Sequence, residues 1–331
     1  MDDRPIVALA VSRSVHAMMF TDDALALLRE AGAVVGPVEV ATPEAVRPLL
    51  AGATVAITGW GTPRFDEFLL TAAPKLRLIA HSAGSVKPIA TEAVYDRGIR
   101  VTTAAAANAA PVAETTVAMM VVMLKRIPWA IRQPWERKRL QQGGPIRELR
   151  DLNVGLIGAS RVGREVVRLL RSYPRLRVKI CDPYLSPSDA AAMGVELAPL
   201  DEVCRCDVVS VHAPSVPATR QILNARTLAL LPDHAIIINT SRGSLVDEAA
   251  LLAEMRRRPL YAYLDVTDPE PPPADSPLFH EPNILVTPHI SGGMNQAQKD
   301  MGRLAIEQAL RFLRGQPLEH EVTREMLPTQ A

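Results

Sequence analysis

The sequence predicts an α/β protein in which two parallel sheets are built from successive strand–helix units. Three observations support this fold class. Short runs rich in β-branched residues alternate with helical patterns along nearly the whole chain, which is the rhythm of βα units. Several of these runs are apolar without interruption, as expected for strands that are buried on both faces. A long apolar helix, predicted over residues 112–127, separates two sets of strands.

Strands are predicted from the apolar runs and helices from the amphipathic segments between them. In the first third the strand candidates are PIVALA, ATVAITG, LRLIAHS and IRVTT, with helices over residues 22–31 and 65–72. The middle of the chain carries NVGLIG, RVKICD, DVVSVHA, AIIINT, YAYLDV and NILVTP, and VDEAALLAEMRRR is a helix between two of them. A last helix is expected over residues 294–313. These elements predict two doubly wound, Rossmann-like parallel sheets.

The order of the elements predicts two domains, for which a chain of 331 residues is long enough. Residues 1–103 together with 294–331 are expected to form a substrate-binding domain, and residues 104–293 a dinucleotide-binding domain. The chain would cross between the domains twice. A cleft between two domains is a common place for a ligand.

Composition and charge exclude several classes of protein. Apolar residues make up 48% and charged residues 22% of the chain, as in soluble globular proteins. A net charge of +1 gives no basic footprint for nucleic acid or for an anionic membrane. The first residues do not resemble a secretory signal peptide. The most apolar stretch, VAMMVVML at residues 117–124, is much shorter than the roughly 20 residues that span a bilayer, so a cytoplasmic protein is expected.

The three cysteines are Cys181, Cys204 and Cys206. An odd and low number argues against a disulfide framework. The Cys204-Arg205-Cys206 stretch could be half of a metal site, but no second pair or nearby histidine completes it in the sequence. We therefore expect no metal and predict that these cysteines are small buried hydrophobic residues.

A candidate dinucleotide-binding turn follows the NVGLIG strand. It reads Gly-Ala-Ser-Arg-Val-Gly from Gly158 to Gly163, and the helical segment after it would aim backbone N–H groups at an anion. About 20 residues past the turn, the RVKICD strand ends at Asp182. This acid can accept hydrogen bonds from the adenosine ribose and would repel a 2′-phosphate, so NAD is expected in preference to NADP. A tight turn without a ligand is the alternative.

Ser160 replaces the second glycine of the Gly-x-Gly-x-x-Gly pattern. Its Cβ would push a bound pyrophosphate outward, whereas its hydroxyl could donate a hydrogen bond to a phosphate oxygen. We expect cofactor binding to be weakened or slightly shifted, but retained.

Three residues suited to the reduction of a keto acid each follow a strand of the middle region. Arg242 follows AIIINT, Glu270 follows YAYLDV and His289 follows NILVTP, which places all three at the sheet edge where ligands collect. Arginine matches a carboxylate or keto oxygen, histidine exchanges protons near neutral pH, and a neighbouring carboxylate orients and tunes the ring. Singly, they could be a surface ion pair, a solvated acid and a strand-end cap. Together they favour hydride transfer to a 2-keto acid.

These stretches resemble the D-isomer-specific 2-hydroxyacid dehydrogenase family over nearly the whole chain. INTSRGSLVDEAAL and TPHISGG are the most specific, and ANAAPVAETTVAMMVVMLKR is similar to the family's interdomain helix. The resemblance implies an NAD-dependent enzyme that interconverts a small 2-keto acid and its D-2-hydroxy acid. Arg242 would anchor the substrate, His289 would be the general acid or base, and Glu270 would tune His289. The resemblance also implies a homodimer formed through the cofactor domain.

The same resemblance assigns binding residues. Positions that would line the dinucleotide are Gly158, Ser160, Arg161, Val162, Gly163, Asp182, His212, Ala213, Thr240, Ser241, Arg242, Asp265, His289 and Gly292. Positions that would bind the substrate, through backbone N–H groups in the loop HSAGSVK and through one guanidinium, are Ala83, Gly84, Ser85, Val86 and Arg242.

Two departures from the family pattern concern the substrate. The loop HSAGSVK lacks the acidic or asparagine residue that often follows the glycine, and DVTDPEP has Thr267 where an aromatic residue is common. His81 and Lys87 could add positive charge and favour a more acidic or bulkier keto acid, or Lys87 could point into solvent.

A second hypothesis is a catalytically weak protein of the same fold that senses NAD(H) or binds a partner. A sensor has little need to keep Arg242, Glu270 and His289 together, which favours the enzyme. The partners expected are therefore a small-molecule 2-keto or 2-hydroxy acid and a second copy of the chain, with no nucleic acid and no membrane.

Overall fold

The computed structural model describes residues 4–131 and 144–327, and the chain divides into two compact units. The first unit combines Met1–Asn108 with Gly293–Gln330, and the second unit comprises Ala109–Gly292. The domain bounds expected from the sequence, at 103/104 and 293/294, differ from these by a few residues.

The first unit is built on a five-stranded parallel sheet with the order β2-β1-β3-β4-β5. Its strands are β1 (Ile6–Ala10), β2 (Ala33–Val35), β3 (Ala53–Thr58), β4 (Leu78–His81) and β5 (Arg100–Thr103). The helices between them are α1 (Arg13–Met19), α2 (Asp22–Ala31), α3 (Pro43–Val46), α4 (Glu67–Leu70) and α5 (Glu92–Asp96), with a 3-10 helix at Arg47–Leu50. Val7 and Leu9 of β1 lie in one hydrophobic cluster and Ala8 and Ala10 in another, so both faces of the sheet are covered.

The helix predicted over residues 112–127 is α6 (Ala105–Leu124), followed by α7 (Ile127–Ile131). It begins earlier than predicted because the helix continues through Pro111. By length and composition, α6 is the one helix in the described part of the chain that could cross a membrane, and the apolar stretch at residues 117–124 forms its last eight residues. Its residues Val117, Met120 and Met123 are buried in a core cluster of the second unit, which is the packing of a core helix.

The second unit is built on a seven-stranded parallel sheet with the order β12-β11-β10-β9-β6-β7-β8. Its strands are β6 (Asn153–Ile157), β7 (Arg177–Cys181), β8 (Glu196–Leu197), β9 (Val208–Val211), β10 (Ile236–Asn239), β11 (Tyr261–Leu264) and β12 (Ile284–Val286). Its further helices are α8 (Arg161–Leu170), α9 (Pro187–Met193), α10 (Leu200–Val203), α11 (Ala225–Leu228) and α12 (Glu248–Arg257), with 3-10 helices at Pro217–Thr219, Gly243–Leu245 and Pro277–Phe279. Ile236 and Ile238 of β10 pack into one core cluster and Ile237 into the other. Two doubly wound parallel sheets confirm the predicted fold class.

The last helix, α13 (Gln296–Leu313), belongs to the first unit. Its residues Met301, Ala305 and Ala309 are buried in the cluster that also contains Val7 and Leu9 of β1. Gly302 allows close packing on α1, because a Cβ at this position would lie 2.1 Å from the carbonyl oxygen of Met19. The helix starts two residues later than the predicted residue 294.

Three details of the sequence-based assignment were wrong or incomplete. The helix predicted over residues 65–72 is the single turn α4, which starts after Asp66 because this residue is its N-cap and accepts a hydrogen bond from the N–H of Leu69 at 3.3 Å. The strands β2 and β8 were not predicted. Both are short edge strands without a fully buried residue, so they lack the apolar run that marks the others.

The three cysteines lie as predicted for small hydrophobic side chains. Cys204 and Cys206 are buried members of a core cluster of the second unit, and Cys181 packs against that cluster. Burial raises the pKa of the Cys204 thiol to about 12 and that of Cys206 to about 11. Within the described residues, no group of three or more His, Cys, Asp or Glu side chains could hold a metal ion.

Candidate active site

The turn after β6 requires glycine at two of its positions. Gly158 has a φ of +104°, and a Cβ there would lie 2.6 Å from the backbone nitrogen of Ala213. A Cβ at Gly163 would lie 2.3 Å from the carbonyl oxygen of Gly158. The first glycine therefore brings the turn close to the loop after β9, and the last one brings α8 close to the turn. Both fit the tight turn and the close helix packing for which a dinucleotide-binding turn uses its first and last glycines.

Ser160 is the N-cap of α8. Its Oγ accepts a hydrogen bond from the N–H of Gly163 at 3.3 Å, as serine commonly does at this helix position. This contact uses a lone pair of the hydroxyl and is compatible with the expectation that the hydroxyl could donate a hydrogen bond to a phosphate oxygen. The next two residues assigned to the dinucleotide, Arg161 and Val162, form the first turn of α8. Arg161 is exposed and Val162 is half-buried.

Asp182 follows β7 and is tied to the glycine turn. Its Oδ2 accepts a hydrogen bond from the N–H of Ala159 at 2.7 Å, and its Oδ1 accepts one from the N–H of Tyr184 at 2.8 Å. The carboxylate thus lies beside the N-terminus of α8. The turn, the helix N-terminus and this acid together fit the donor and acceptor groups that a dinucleotide requires.

His212 and Ala213 follow β9 and pack against the glycine turn at Gly158. His212 is buried, its Nε2 lies 2.9 Å from Ser210 Oγ, and its backbone N–H donates to the carbonyl of Ile157. Burial lowers the pKa of His212 to about 3, so the ring is neutral at pH 7. The carbonyl of Ala213 accepts a hydrogen bond from Ser241 Oγ at 3.0 Å.

Arg242 is held at the carboxyl end of β10 by the buried amide of Asn239. The Oδ1 of Asn239 accepts from the N–H of Ser241 at 3.1 Å, and its Nδ2 donates to the carbonyl of Arg242 at 2.8 Å. Thr240 Oγ1 lies 2.9 Å from Thr116 Oγ1 of α6. Burial lowers the pKa of Arg242, and the charge of Glu270 opposes this effect. Asn239 was missed in the sequence, where a polar residue ending the apolar run AIIIN is the signal that marks it.

Gly243 brings the loop that carries Glu270 against the loop that carries Arg242. A Cβ at Gly243 would lie 2.0 Å from the carbonyl carbon of Thr267, so any side chain would displace that loop. One residue further, the N–H of Asp268 donates to Glu248 Oε1 at 2.9 Å. Burial raises the pKa of the Glu248 carboxyl. Glu248 was also missed, although it belongs to the specific stretch INTSRGSLVDEAAL.

His289 and Glu270 form a direct pair at the carboxyl edge of the second sheet. His289 Nδ1 lies 2.6 Å from Glu270 Oε1, and the two side chains are 46% and 40% exposed, so the ring is open to solvent-borne ligands. His289 has a φ of +54°, a conformation that residues other than glycine adopt rarely. Its backbone N–H donates to the carbonyl of Asp265 at 2.9 Å.

Asp265 holds the loop that carries His289. Its buried carboxylate accepts hydrogen bonds from Thr287 Oγ1 at 2.6 Å, from the N–H of Ile290 at 2.9 Å and from the N–H of Ser291 at 2.8 Å. The sequence-based assignment placed Asp265 against the dinucleotide, and the structure adds this positioning role. Gly292, the last residue assigned to the dinucleotide, is half-buried at the end of the same loop.

The loop after β4, in the first unit, has unpaired backbone donors. Within the described residues, the N–H groups of Gly84, Ser85 and Val86 have no hydrogen-bond acceptor. The opposite side of the loop is fixed, because Thr103 Oγ1 donates to the carbonyls of Ala83 at 3.1 Å and Gly84 at 2.5 Å. Gly84 and Ser85 are half-buried and Val86 is buried. Three adjacent free N–H groups can bind a carboxylate.

His81 does not supply the positive charge that was considered for it. The side chain is buried, and its Nδ1 lies 2.9 Å from Thr58 Oγ1. Burial lowers the pKa of His81 to about 4, although a hydrogen bond with the Ser85 backbone opposes this effect. The ring is therefore neutral at pH 7, and the expectation of a cation at this position was wrong.

Comparisons with known proteins identify similar chains. Residues 117–291 match the family model of the D-isomer specific 2-hydroxyacid dehydrogenase NAD-binding domain. A D-3-phosphoglycerate dehydrogenase of Methanocaldococcus jannaschii is 34% identical over 335 residues, which cover 98% of this chain and 61% of that protein. This chain spans between about half and three-fifths of the length of the curated relatives that it matches.

Two solved structures share the fold over nearly their whole length. A protein of Thermus thermophilus superposes with a TM-score of 0.76 at 30% identity, covering 96% of this chain and 100% of that one. A phosphoglycerate oxidoreductase of Rhizobium etli superposes with a TM-score of 0.79 at 25% identity, covering 97% and 99%.

Proposed function

Because the chain belongs to the D-isomer specific 2-hydroxyacid dehydrogenase family, we propose that it is an NAD-dependent oxidoreductase that interconverts a 2-keto acid and its D-2-hydroxy acid. The observation that carries the proposal is the pair formed by His289 and Glu270, with Nδ1 and Oε1 2.6 Å apart. A histidine held by a carboxylate at a ligand-binding sheet edge is suited to general acid–base catalysis. Arg242, at the end of the neighbouring strand β10, supplies a cation at the same edge.

In this proposal each residue has one task. When bound, NADH supplies the hydride that reduces the keto carbon. His289 donates a proton to the keto oxygen through Nε2, while Glu270 holds Nδ1 and so fixes the tautomer and the direction of the ring. Arg242 binds and polarises the keto acid. The N–H groups of residues 83–86 bind the substrate carboxylate. In the oxidative direction, the same histidine accepts the proton.

The proposal also covers the choice of cofactor, the oligomeric state and the location in the cell, which are argued from Asp182 and from the family. Its carboxylate, fixed beside the glycine turn by the N–H of Ala159, would repel the 2′-phosphate of NADP. We propose a cytoplasmic homodimer that associates through the second unit. Light scattering after size exclusion tests the oligomeric state.

The test is the oxidation of NADH in the presence of a panel of keto acids. Glyoxylate, hydroxypyruvate, pyruvate and phenylpyruvate cover small to bulky side chains. 3-Phosphohydroxypyruvate is included because several relatives are named D-3-phosphoglycerate dehydrogenase. Turnover of one or more compounds, with the D-2-hydroxy acid as product, is expected. Clear binding of NADH without turnover of any compound would instead support the NAD(H) sensor.

A further inference from the structure

An exposed indole stands on a rigid turn at the end of β3. Trp60 lies in the turn Gly59–Thr62, in which the N–H of Thr62 donates to the carbonyl of Gly59 at 3.2 Å. Thr62 Oγ1 accepts from the N–H of Gly59 at 3.0 Å and donates to the carbonyl of Ala10 at 2.8 Å. The turn is thereby tied to the neighbouring strand β1. Its backbone geometry is fixed before any ligand binds.

The side chain of Trp60 is supported along one edge and open elsewhere. A Cβ at Gly293 would lie 3.1 Å from Cη2 and 3.2 Å from Cζ2 of the indole. The absence of a side chain at Gly293 therefore lets the ring pack closely against this residue. Trp60 is nevertheless 39% exposed. A large aromatic side chain on a rigid backbone, with part of its surface in water, offers a platform for an apolar or aromatic ligand.

Trp60 follows β3, and the loop with the free N–H groups follows β4, the next strand of the sheet. Strands β3 and β4 are parallel and pair Thr58 with His81, so the loops after them share one edge of the sheet. The two loops come close to each other, because a Cβ at Gly59 would lie 3.0 Å from Ser82 Oγ. The first unit thus combines a carboxylate-binding loop with an aromatic surface beside it.

Two basic side chains at this edge add little positive charge to it. His81, at the end of β4, is buried and neutral at pH 7. Arg13, which begins the helix after β1, pairs with Glu39 at 3.0 Å. The permanent dipoles of the N–H groups of residues 84–86 are enough for one carboxylate.

We propose that Trp60 forms the subsite for the substrate side chain and selects 2-keto acids with an aromatic or large apolar substituent. This inference rests on the proposed dehydrogenase function and names its substrate class. Phenylpyruvate is the probe for the class, pyruvate is the small reference and 3-phosphohydroxypyruvate is the charged one.

The test compares kcat/KM for these three substrates in the parent protein and in Trp60→Ala. The parent should prefer phenylpyruvate. Trp60→Ala should lower kcat/KM for phenylpyruvate by about tenfold or more and leave that for pyruvate within about twofold, since loss of an aromatic contact affects only the substrate that uses it. Trp60→Phe, which keeps an aromatic ring, should retain most of the preference. Phe68→Ala removes another exposed aromatic side chain of the first unit and should change nothing.

Two results would overturn the inference. One is a parent protein that prefers pyruvate or 3-phosphohydroxypyruvate over phenylpyruvate. The other is an equal loss for all substrates in Trp60→Ala, which would mean that the indole only packs against Gly293 and has a purely structural role.

If no keto acid is turned over, the proposed function fails. Calorimetric titration of phenylpyruvate and pyruvate into the NADH-saturated parent and Trp60→Ala proteins then decides the subsite. Tighter binding of phenylpyruvate that is lost in Trp60→Ala would support it, and equal binding would reject it.

Discussion

His289 Nδ1 and Glu270 Oε1 are 2.6 Å apart, although the two residues follow different strands. Two independent anchors produce this contact. The backbone of His289 is held by Asp265, and the loop of Glu270 is held by Gly243 and Glu248. The pair is therefore set by hydrogen bonds to its two loops and by close backbone packing, and its exposed side chains need not contribute to the stability of the protein. Substitutions can therefore test the reacting side chains separately from the residues that hold their loops.

Replacing the imidazole should abolish most of the chemistry without affecting cofactor binding. We expect His289→Ala to lower kcat by about 10²- to 10⁴-fold, which is the usual contribution of a general acid or base. Affinity for NADH, measured by fluorescence titration, should stay within about twofold. Although His289 is one of the positions expected to line the dinucleotide, the glycine turn and Asp182 follow β6 and β7, whereas His289 follows β12 at the edge of the sheet. Glu270→Gln keeps an oxygen that accepts from Nδ1 and should lower kcat less than His289→Ala does. Near-normal turnover of His289→Ala would reject the assigned role.

Glu248 offers a test of positioning that leaves the reacting groups in place. Its Oε1 accepts from the N–H of Asp268 at 2.9 Å, two residues before Glu270. Glu248→Ala should lower kcat by about 3- to 10-fold, which corresponds to the net free energy of one hydrogen bond. Glu248→Gln retains an acceptor oxygen and should restore most of this loss. Glu202→Ala changes an acid in the first turn of α10 and serves as the control with parental kcat. Equal losses in Glu248→Gln and Glu248→Ala would argue against positioning.

The contrast between Arg242 and Asn239 shows what could be predicted from the sequence. Arg242, Glu270 and His289 could be located because each follows an apolar strand, and parallel strands end at a common edge. Asn239, Gly243 and Glu248 could not be assigned roles, because each acts on a backbone segment whose approach depends on tertiary packing. Gly243 contacts Thr267, which is 24 residues away in the chain.

The charge of a side chain and the end of a helix also depend on tertiary structure and could not be predicted from the sequence alone. His81 is an ordinary titratable residue in the sequence, and only its burial against Thr58 shows that it is neutral. Ser160 was considered as a phosphate ligand, and its role as N-cap appears once the start of α8 is known. The fold class was predictable because it depends on the alternation of strands and helices. Individual side-chain roles were predictable only where the local pattern alone determines them.

Ser160 separates the effect of a side chain on the cofactor from its effect on the helix. Ser160→Gly should bind NADH more tightly, because the Cβ is removed, and should lose only a few tenths of a kcal/mol of stability. Ser160→Ala keeps the Cβ and removes the cap, so it should lose about 1 kcal/mol without a gain in affinity. Calorimetric titration and urea unfolding measure the two effects. Ser186→Gly alters the N-cap of α9 and should leave NADH affinity unchanged. Weaker binding by Ser160→Gly would mean that the hydroxyl itself contacts the cofactor.

The buried histidines predict how stability depends on pH. His81 has a pKa of about 4 in the folded protein, lowered by burial from 6.5. The unfolded chain therefore binds a proton at a higher pH than the folded chain does. Stability is complete above pH 6.5, falls as the pH is lowered through 6.5 and reaches its full loss near pH 4. The difference corresponds to about 3 kcal/mol for this residue, and His212 acts in the same direction.

His81→Gln removes this titration and keeps a polar group near Thr58. At pH 7 the variant should be somewhat less stable than the parent, because glutamine fills the buried site less well. Between pH 7 and pH 4.5, however, its urea midpoint should fall less than that of the parent, since one of the two buried imidazoles no longer has to be protonated on unfolding. His280→Gln replaces an exposed histidine and should follow the parent. If the midpoints of His81→Gln and the parent fall in parallel, the His81 ring is protonated or solvated in the folded protein at acid pH, and the lowering of its pKa by burial would have to be abandoned.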